Sequence, residues 1–417
     1  MRRTERTAST ESAERAESTE RAREAVRAAT REPARIRRTL RIRRTAPAAA
    51  VLALAGLAAS LAACTAHGGT VRDDGARPAD DRRRPFTVLA TGDIIPYPSI
   101  IRQAEEDAGG DGHDFSRILA GVEPVVASAD VALCHMETPY GDEDGPFTGY
   151  PMFRSPPRLA EALRATGYDS CSTASNHSLD DGFEGVRRTL DALDEAGVRH
   201  AGTARSAREA ARPARLRAGG AEIAHLSYTY GTNGIPLPDG RPWAVNLLEP
   251  ERVIADARAA RREGADVVVV SLHWGTEWQQ APDDTQKELA RRLTAARTDG
   301  RKDIDLLIGT HNHVPQPYEK VNGTWVVYGL GDQMASFVPV EKRSGNEGSM
   351  ARFTFTPERG GDGWTVSRAE YLVGHSDIGP PFRVVRATEE NFPEVRERVR
   401  EAVLSRGAAK DGLVEGR

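Results

Sequence analysis

The chain reads as an α/β protein, and three observations lead there. From residue 86 onward, short β-branched runs alternate with segments of helical periodicity. Several of the helical segments stop at a glycine, as before Gly167, Gly197 and Gly264. Five of the apolar runs finish on side chains that bind metals. In chain order the expected strands are "FTVLATGD", "DVALCHME", "YDSCSTAS", "AEIAHLSY", "ADVVVVSLHWG", "IDLLIGT" and "TWVVYGLGD". Helices are expected over 157–166, 182–196, 249–263 and 284–296. The late runs "SMARFTFTPE" and "GWTVSRAEYLVG" read as an antiparallel pair, and "EENFPEVRERVREAVLSRG" reads as a closing helix.

Residues 1–45 are charged and contain too few large apolar side chains for a core, so a disordered leader is expected. Residues 46–64, "APAAAVLALAGLAASLAAC", follow the arginines of "RIRR" and have the make-up of an export signal. The ending "LAAC" resembles a bacterial lipobox, which implies a lipidated Cys64 and a lipoprotein on the outer face of the cell membrane. A plain anchor and a cleaved signal are the alternatives. Residues 65–85 are polar and rich in Gly, Pro and charge, and read as a tether. A domain over 86–375 and a helical extension over 376–417 complete the division. With 57 Lys+Arg against 61 Asp+Glu, the composition calls for no nucleic-acid partner. Cys134 and Cys171 both lie near expected strand ends, where a disulfide and two buried thiols are equally compatible with the sequence.

The polar strand endings carry the chemistry. "LATGD" stops at Asp93, "LCHMETP" presents His135 and Glu137, and "CSTASNHSLDDG" leads to Asn176 and His177. "VVSLHWGTEW" presents His273 and Glu277, and "LIGTHNHVPQP" presents His311 and His313. Ligands of α/β proteins bind beyond the carboxyl ends of strands, so these groups are expected at one edge. Mixed imidazole, carboxylate and amide donors suit Mn, Zn or Fe, in one or two sites. Each ending also has a bland reading. Asn176, Ser178 or Asp180 would serve as N-cap of the following helix, and His273 would be a core histidine packed by Trp274. On an extended segment, His311 and His313 would point to the same side.

The blocks "TGDIIP", "METP", "ASNHSLDDG", "LHWGTEW", "GTHNHVPQPYE" and "VYGLGDQ" resemble, in order and spacing, the CapA family of capsule and poly-γ-glutamate synthesis proteins. That family is similar to the calcineurin-like metallophosphoesterases. The resemblance implies a metallophosphatase-like α-β-β-α sandwich, with two central mixed sheets flanked by helices. It further implies Asp93, Glu137, Asn176, His273, His311 and His313 as metal ligands, with Glu137 bridging, and His177 as the group meeting substrate. Ile95 stands where a histidine often follows the first aspartate. His135 replaces a usual asparagine and is an auxiliary donor. Asp332 is expected as an outer partner.

Two functions follow from the resemblance. One is a membrane-anchored, metal-dependent hydrolase of phosphoester-type bonds in envelope-polymer synthesis. The other is a non-catalytic component that binds and exports an anionic polymer alongside membrane partners of the capsule machinery. The basic stretch "ARSAREAARPARLRAG" over 204–219 suits such a polymer, although a solvated helix face and linker is its simpler reading.

Overall fold

The computed structural model describes residues 83–417. The leader, the segment 46–64 with Cys64, and the tether up to residue 82 lie outside the described residues. Arg83, at the tether's end, donates to the carbonyls of Gly361, Asp362 and Gly363.

Strands β1 (Phe86–Ile94), β2 (Val131–Met136), β3 (Ser170–Ser172) and β4 (Arg199–Ala201) are successive parallel neighbours. After β5 (Ala214–Ala218), β6 (Ala221–Thr229) and β7 (Val267–His273), a small hairpin of β8 (Arg297–Thr298) and β9 (Arg301–Lys302) precedes β10 (Leu306–Thr310). Next come β11 (Tyr318–Val321), β12 (Thr324–Val327) and β13 (Asp332–Met334). The chain ends with β14 (Glu347–Pro357), β15 (Trp364–Asp377), β16 (Arg383–Arg386) and β17 (Leu413–Glu415). One sheet has nine strands in the order β16-β15-β14-β1-β2-β3-β4, with β13 beside β1 and β17 beside β15. The other has six, in the order β11-β12-β10-β7-β6-β5.

Side-chain alternation explains how the sheets stack. Val88, Ala90, Val131 and Leu133 of the first sheet share a core with Val267, Val269, Leu306 and Ile308 of the second. The intervening Leu89, Ala132 and Met136 turn outward beneath the helices Pro98–Asp107 and Leu159–Thr166. Val268, Val270 and Leu307 turn outward beneath Pro250–Arg262 and Asp284–Ala295. Every residue of β7 is buried, which is why it reads as an unbroken apolar run. Burying each valine contributes roughly 1.5 kcal/mol or more. The result is the expected sandwich of two sheets flanked by helices.

Two expectations take sharper form. Cys134 and Cys171 are register partners on β2 and β3 and form a disulfide. The division at residue 375 falls inside β15. Beyond it, Val395, Val399 and Val403 of the helix Pro393–Leu404 join the inter-sheet core, and β17 pairs with β15. The C-terminal residues are thus continuous with the sandwich.

Candidate metal centre

The same alternation that buries valines on the inner faces delivers polar groups at the strand ends. On β2 the inward series Val131, Leu133 continues to His135, and on β7 the series Val267, Val269, Ser271 continues to His273. On β1 the register shifts between Ala90 and Asp93, an irregularity that aims Asp93 at the centre. Gly92 permits it, because a Cβ there would lie 1.8 Å from the Gly331 carbonyl oxygen. Asp93 and Asp332 are register partners across β1 and β13.

Asp93 is the hub. Its Oδ2 accepts from the His311 amide at 2.9 Å, and its Oδ1 lies 3.5 Å from His135 Nε2 and 3.9 Å from His273 Nδ1. Two sets of ligand atoms close enough to share an ion emerge: Asp93, His135 and His273, and Asp93, His313 and Asp332. Asp93 belongs to both. Glu137, expected to bridge, belongs to neither; its carboxylate lies 4.0 Å from His177 Nε2. Asn176 Oδ1 accepts from His273 Nε2 at 2.9 Å, so the amide also reaches the centre.

The paired histidines arrive differently from the extended geometry expected. His311 (φ +94°) and His313 (φ +57°) both adopt left-handed backbone, which costs about 1–2 kcal/mol for each such residue. The His311 amide bond to Asp93 holds one, and the His313 Nδ1–H donated to Asp332 Oδ1 at 3.0 Å holds the other. The bland readings fail for physical reasons. The helix Gly182–Ala196 has Asp181 at its N-cap, with no side-chain cap bond, while Asp180 accepts instead from His177 Nδ1 at 2.7 Å and from the Phe153 amide. Trp274 turns to the outer core beside Tyr328, leaving His273 facing inward.

Electrostatics make the centre costly without a cation. Burial, then the charge of Asp332, pushes Asp93 well above the usual carboxylate range. Burial, then Asp93, does the same to Glu137. Burial pulls His313 down, but Asp332, Glu137 and Asp93 outweigh it and push that imidazole up to about 10. Burial and the neighbouring His313 pull His311 down to about 3. Asp93 Oδ1, His135 Nε2, both Glu137 oxygens, His311 Nδ1 and Asp332 Oδ2 are buried with no protein partner. Native proteins satisfy nearly all such atoms. Oxygen and imidazole nitrogen donors converging in this way fit divalent metal.

Outer contacts orient the donors. Ser172 Oγ bonds His135 Nδ1 at 2.7 Å, and Thr310 Oγ1 bonds His273 Nδ1 at 3.0 Å. Aromatic rings form the rim, which the sequence reading missed. Tyr230 packs on His311 with ring centroids 4.6 Å apart, Trp278 lies 5.4 Å from His313, and Phe153 meets His177 edge-on at 4.9 Å. The available signal was position, since Tyr230 follows β6 as His273 ends β7.

The two stacked sheets thus gather carboxylates and imidazoles at their strand ends. Residues 87–336 match the model of the bacterial capsule synthesis protein PGA_cap, and the chain belongs to that family. A PGA biosynthesis protein CapA of Bacillus subtilis is 27% identical over 249 residues, covering 58% of this chain and 61% of that protein. A probable polyglutamine synthesis accessory protein of Mycobacterium tuberculosis is 30% identical over 217 residues, covering 49% of this chain and 55% of that one. The chain therefore spans under two thirds of the curated relatives it matches. Among solved structures, a calcineurin-like phosphoesterase of Bacillus subtilis aligns at a TM-score of 0.40 with 15% identity, over 77% of this chain and 97% of that one. A 5'-nucleotidase precursor of Thermus thermophilus aligns at 0.44 with 16% identity, over 78% and 59%.

Proposed function

We propose that this capsule-synthesis family member is a metal-dependent hydrolase of phosphoester-type bonds in the making of an anionic envelope polymer such as poly-γ-glutamate. The observation that carries the reading is the set of partnerless buried donors around Asp93. Asp93, His135, His273, His311, His313 and Asp332 would hold the ions, with Asn176 and Glu137 beside them. Divalent metal in such a site supplies Lewis-acid polarisation and a more acidic water. Asp180 fixes His177 through Nδ1, leaving Nε2 toward Glu137 and the centre, where it donates a proton to a leaving oxygen. The aromatic rim narrows the approach and sheds water from it.

The export reading stands beside this. Cys64, lipidated, would tether the domain to the outer face of the cell membrane, near membrane partners of the capsule machinery. No helix among the described residues is long and apolar enough to cross a membrane. The disulfide agrees with an oxidising compartment.

A non-catalytic, metal-containing polymer-binding component is the second reading, favoured by the buried Ile95 where a further ligand would be expected. Metal analysis and phosphodiester hydrolysis of the full chain, wild type against Glu137→Ala, separate the two. Hydrolysis lost in the variant supports the enzyme, and bound metal without turnover in the wild type refutes it.

A further inference from the structure

Six large apolar side chains are exposed among the described residues, and four of them sit on two loops that also reach the metal centre. Tyr150 (76% exposed) and Met152 (45%) lie on the loop between β2 and the helix Leu159–Thr166. Val338 (64%) and Val340 (74%) follow β13. A fifth, Tyr230, packs on His311. Single exposed apolar residues are ordinary on a protein surface, whereas their gathering at one mouth marks a place where something apolar is held.

Behind these tips, buried rings connect the surface to the centre. Phe153 meets His177 edge-on, and Phe337 lies 5.8 Å from His313. Tyr97 joins the two walls, with ring centroids 5.5 Å from Phe153 and 5.2 Å from Phe337. Tyr150 continues outward from Phe153 at 6.5 Å, and Trp278 from Phe337 at 4.9 Å. Buried polar side chains fix both walls. Asp180 accepts from the Phe153 amide at 2.8 Å, while Asn346 accepts from the Phe337 amide at 2.9 Å and donates to its carbonyl at 2.8 Å. Charge here does not favour an anionic occupant. Arg154, next to Phe153, is held by Asp181 at 2.7 Å. The Tyr230 hydroxyl is pushed up to about 12 by burial and then by the charges of Glu277 and Glu137, which would repel an anion at this mouth.

We propose that this aromatic strip is the leaving-group subsite, and that the phosphoester split here is that of a long apolar alcohol of the alkyl or prenyl class. The phosphoryl end sits at the centre, and the chain runs past His177 over Phe153 and Tyr97 toward the exposed tips. Water adds to phosphorus, the P–O bond to the alcohol breaks, and the alcohol oxygen takes the proton from His177 Nε2. Aromatic and aliphatic side chains hold such a chain by removing its methylenes from water. The inference rests on the hydrolase reading and adds the part of the substrate that does not react.

The test has a turnover arm and a binding arm, both on the metal-loaded full chain. Methyl, hexyl and decyl phosphate, whose alcohols differ little in acidity, are compared by phosphate release. Methylphosphonate and decylphosphonate, which carry no P–O bond to an alcohol, are titrated by calorimetry below micelle-forming concentrations. Wild type is set against Tyr150→Ser/Met152→Ser and Val338→Ser/Val340→Ser, substitutions at exposed positions. From methyl to decyl, kcat/KM and affinity are each expected to rise about a hundredfold, the effect of roughly three or four buried methylenes. Each double variant is expected to cut that preference at least about fivefold. Equal binding of the two phosphonates, or a preference undiminished in both variants, overturns the subsite whatever the turnover. A decylphosphonate preference without phosphate release keeps the apolar subsite and removes the hydrolase reading, so the two failures are told apart. Binding to phosphatidylcholine vesicles that the variants abolish, with no preference between the phosphonates, replaces the subsite by a membrane-docking face.

Discussion

Among the described residues, two clusters of histidine and carboxylate side chains come within ligating distance, one around Asp93 and one around His200, and their surroundings give them opposite meanings. Around Asp93, the donors are buried, and no Lys or Arg pairs with Asp93, Glu137 or Asp332 among the described residues. The trio Asp194, His200 and Glu209 has the same chemical groups, yet Arg205 reaches both of its carboxylates. Asp194 is also 43% exposed, so water screens what Arg205 leaves. Proximity of ligand types is common to the two. What separates them is whether the chain itself supplies the counter-charge.

The sharpest way to break that contrast is Asp93→Asn. Because Asp93 belongs to both donor sets, the variant is expected to lose most bound metal by elemental analysis, and hydrolysis is expected to fall at least about a hundredfold. Retention of full metal would erase the distinction between the two clusters. Asp180→Asn comes next. Metal content should hold while turnover drops about a hundredfold, and the loss should be greatest for substrates with poor leaving groups. Equal losses across leaving groups would reassign Asp180 to a structural part.

A third measurement concerns pH. Folding raises the pKa of Asp93 and of Glu137, so each contributes stability while protonated. That contribution is complete below about pH 4 and disappears as pH climbs through the raised folded values. Chelator-treated protein is therefore expected to lose thermal stability as pH rises from about 7 towards about 10, where the depressed imidazoles of His135, His273 and His311 are neutral in both states and His313 also gives up its proton, and added metal is expected to restore it. A melting temperature that is flat with pH would contradict the buried, unmatched charge. The smallest effect belongs to His200→Ala, for which metal content should be unchanged and stability lowered by about 1 kcal/mol, since the ring is largely buried against Asp194.

Much of this was legible along the chain because local periodicity decides it. The apolar runs of β2 and β7 visibly end on His135 and His273, so these strand-end donors could be picked out in the sequence, and alternation from Val131 and from Val267 turns both inward. Pairings across the sheet were not countable. Whether Cys134 meets Cys171, whether Asp93 or Glu137 is the common donor, and whether residues 376–417 join the sandwich all depend on register between distant segments. The left-handed backbone at His311 and His313 was hidden for a related reason: nothing in "GTHNHVP" marks it, and bonds from Asp93 and Asp332 impose it.

The Cys134–Cys171 bond joins the strand that carries His135 to the one that leads into Asn176 and His177. That has a practical side for anyone preparing the protein. Material made in a reducing cytosol, or kept in thiol reductant, carries these two strands unlinked, and any assay of metal binding or hydrolysis on it would test a different covalent form. Oxidised material, from a periplasm or from refolding in a glutathione couple, is the form on which the chemistry should be judged.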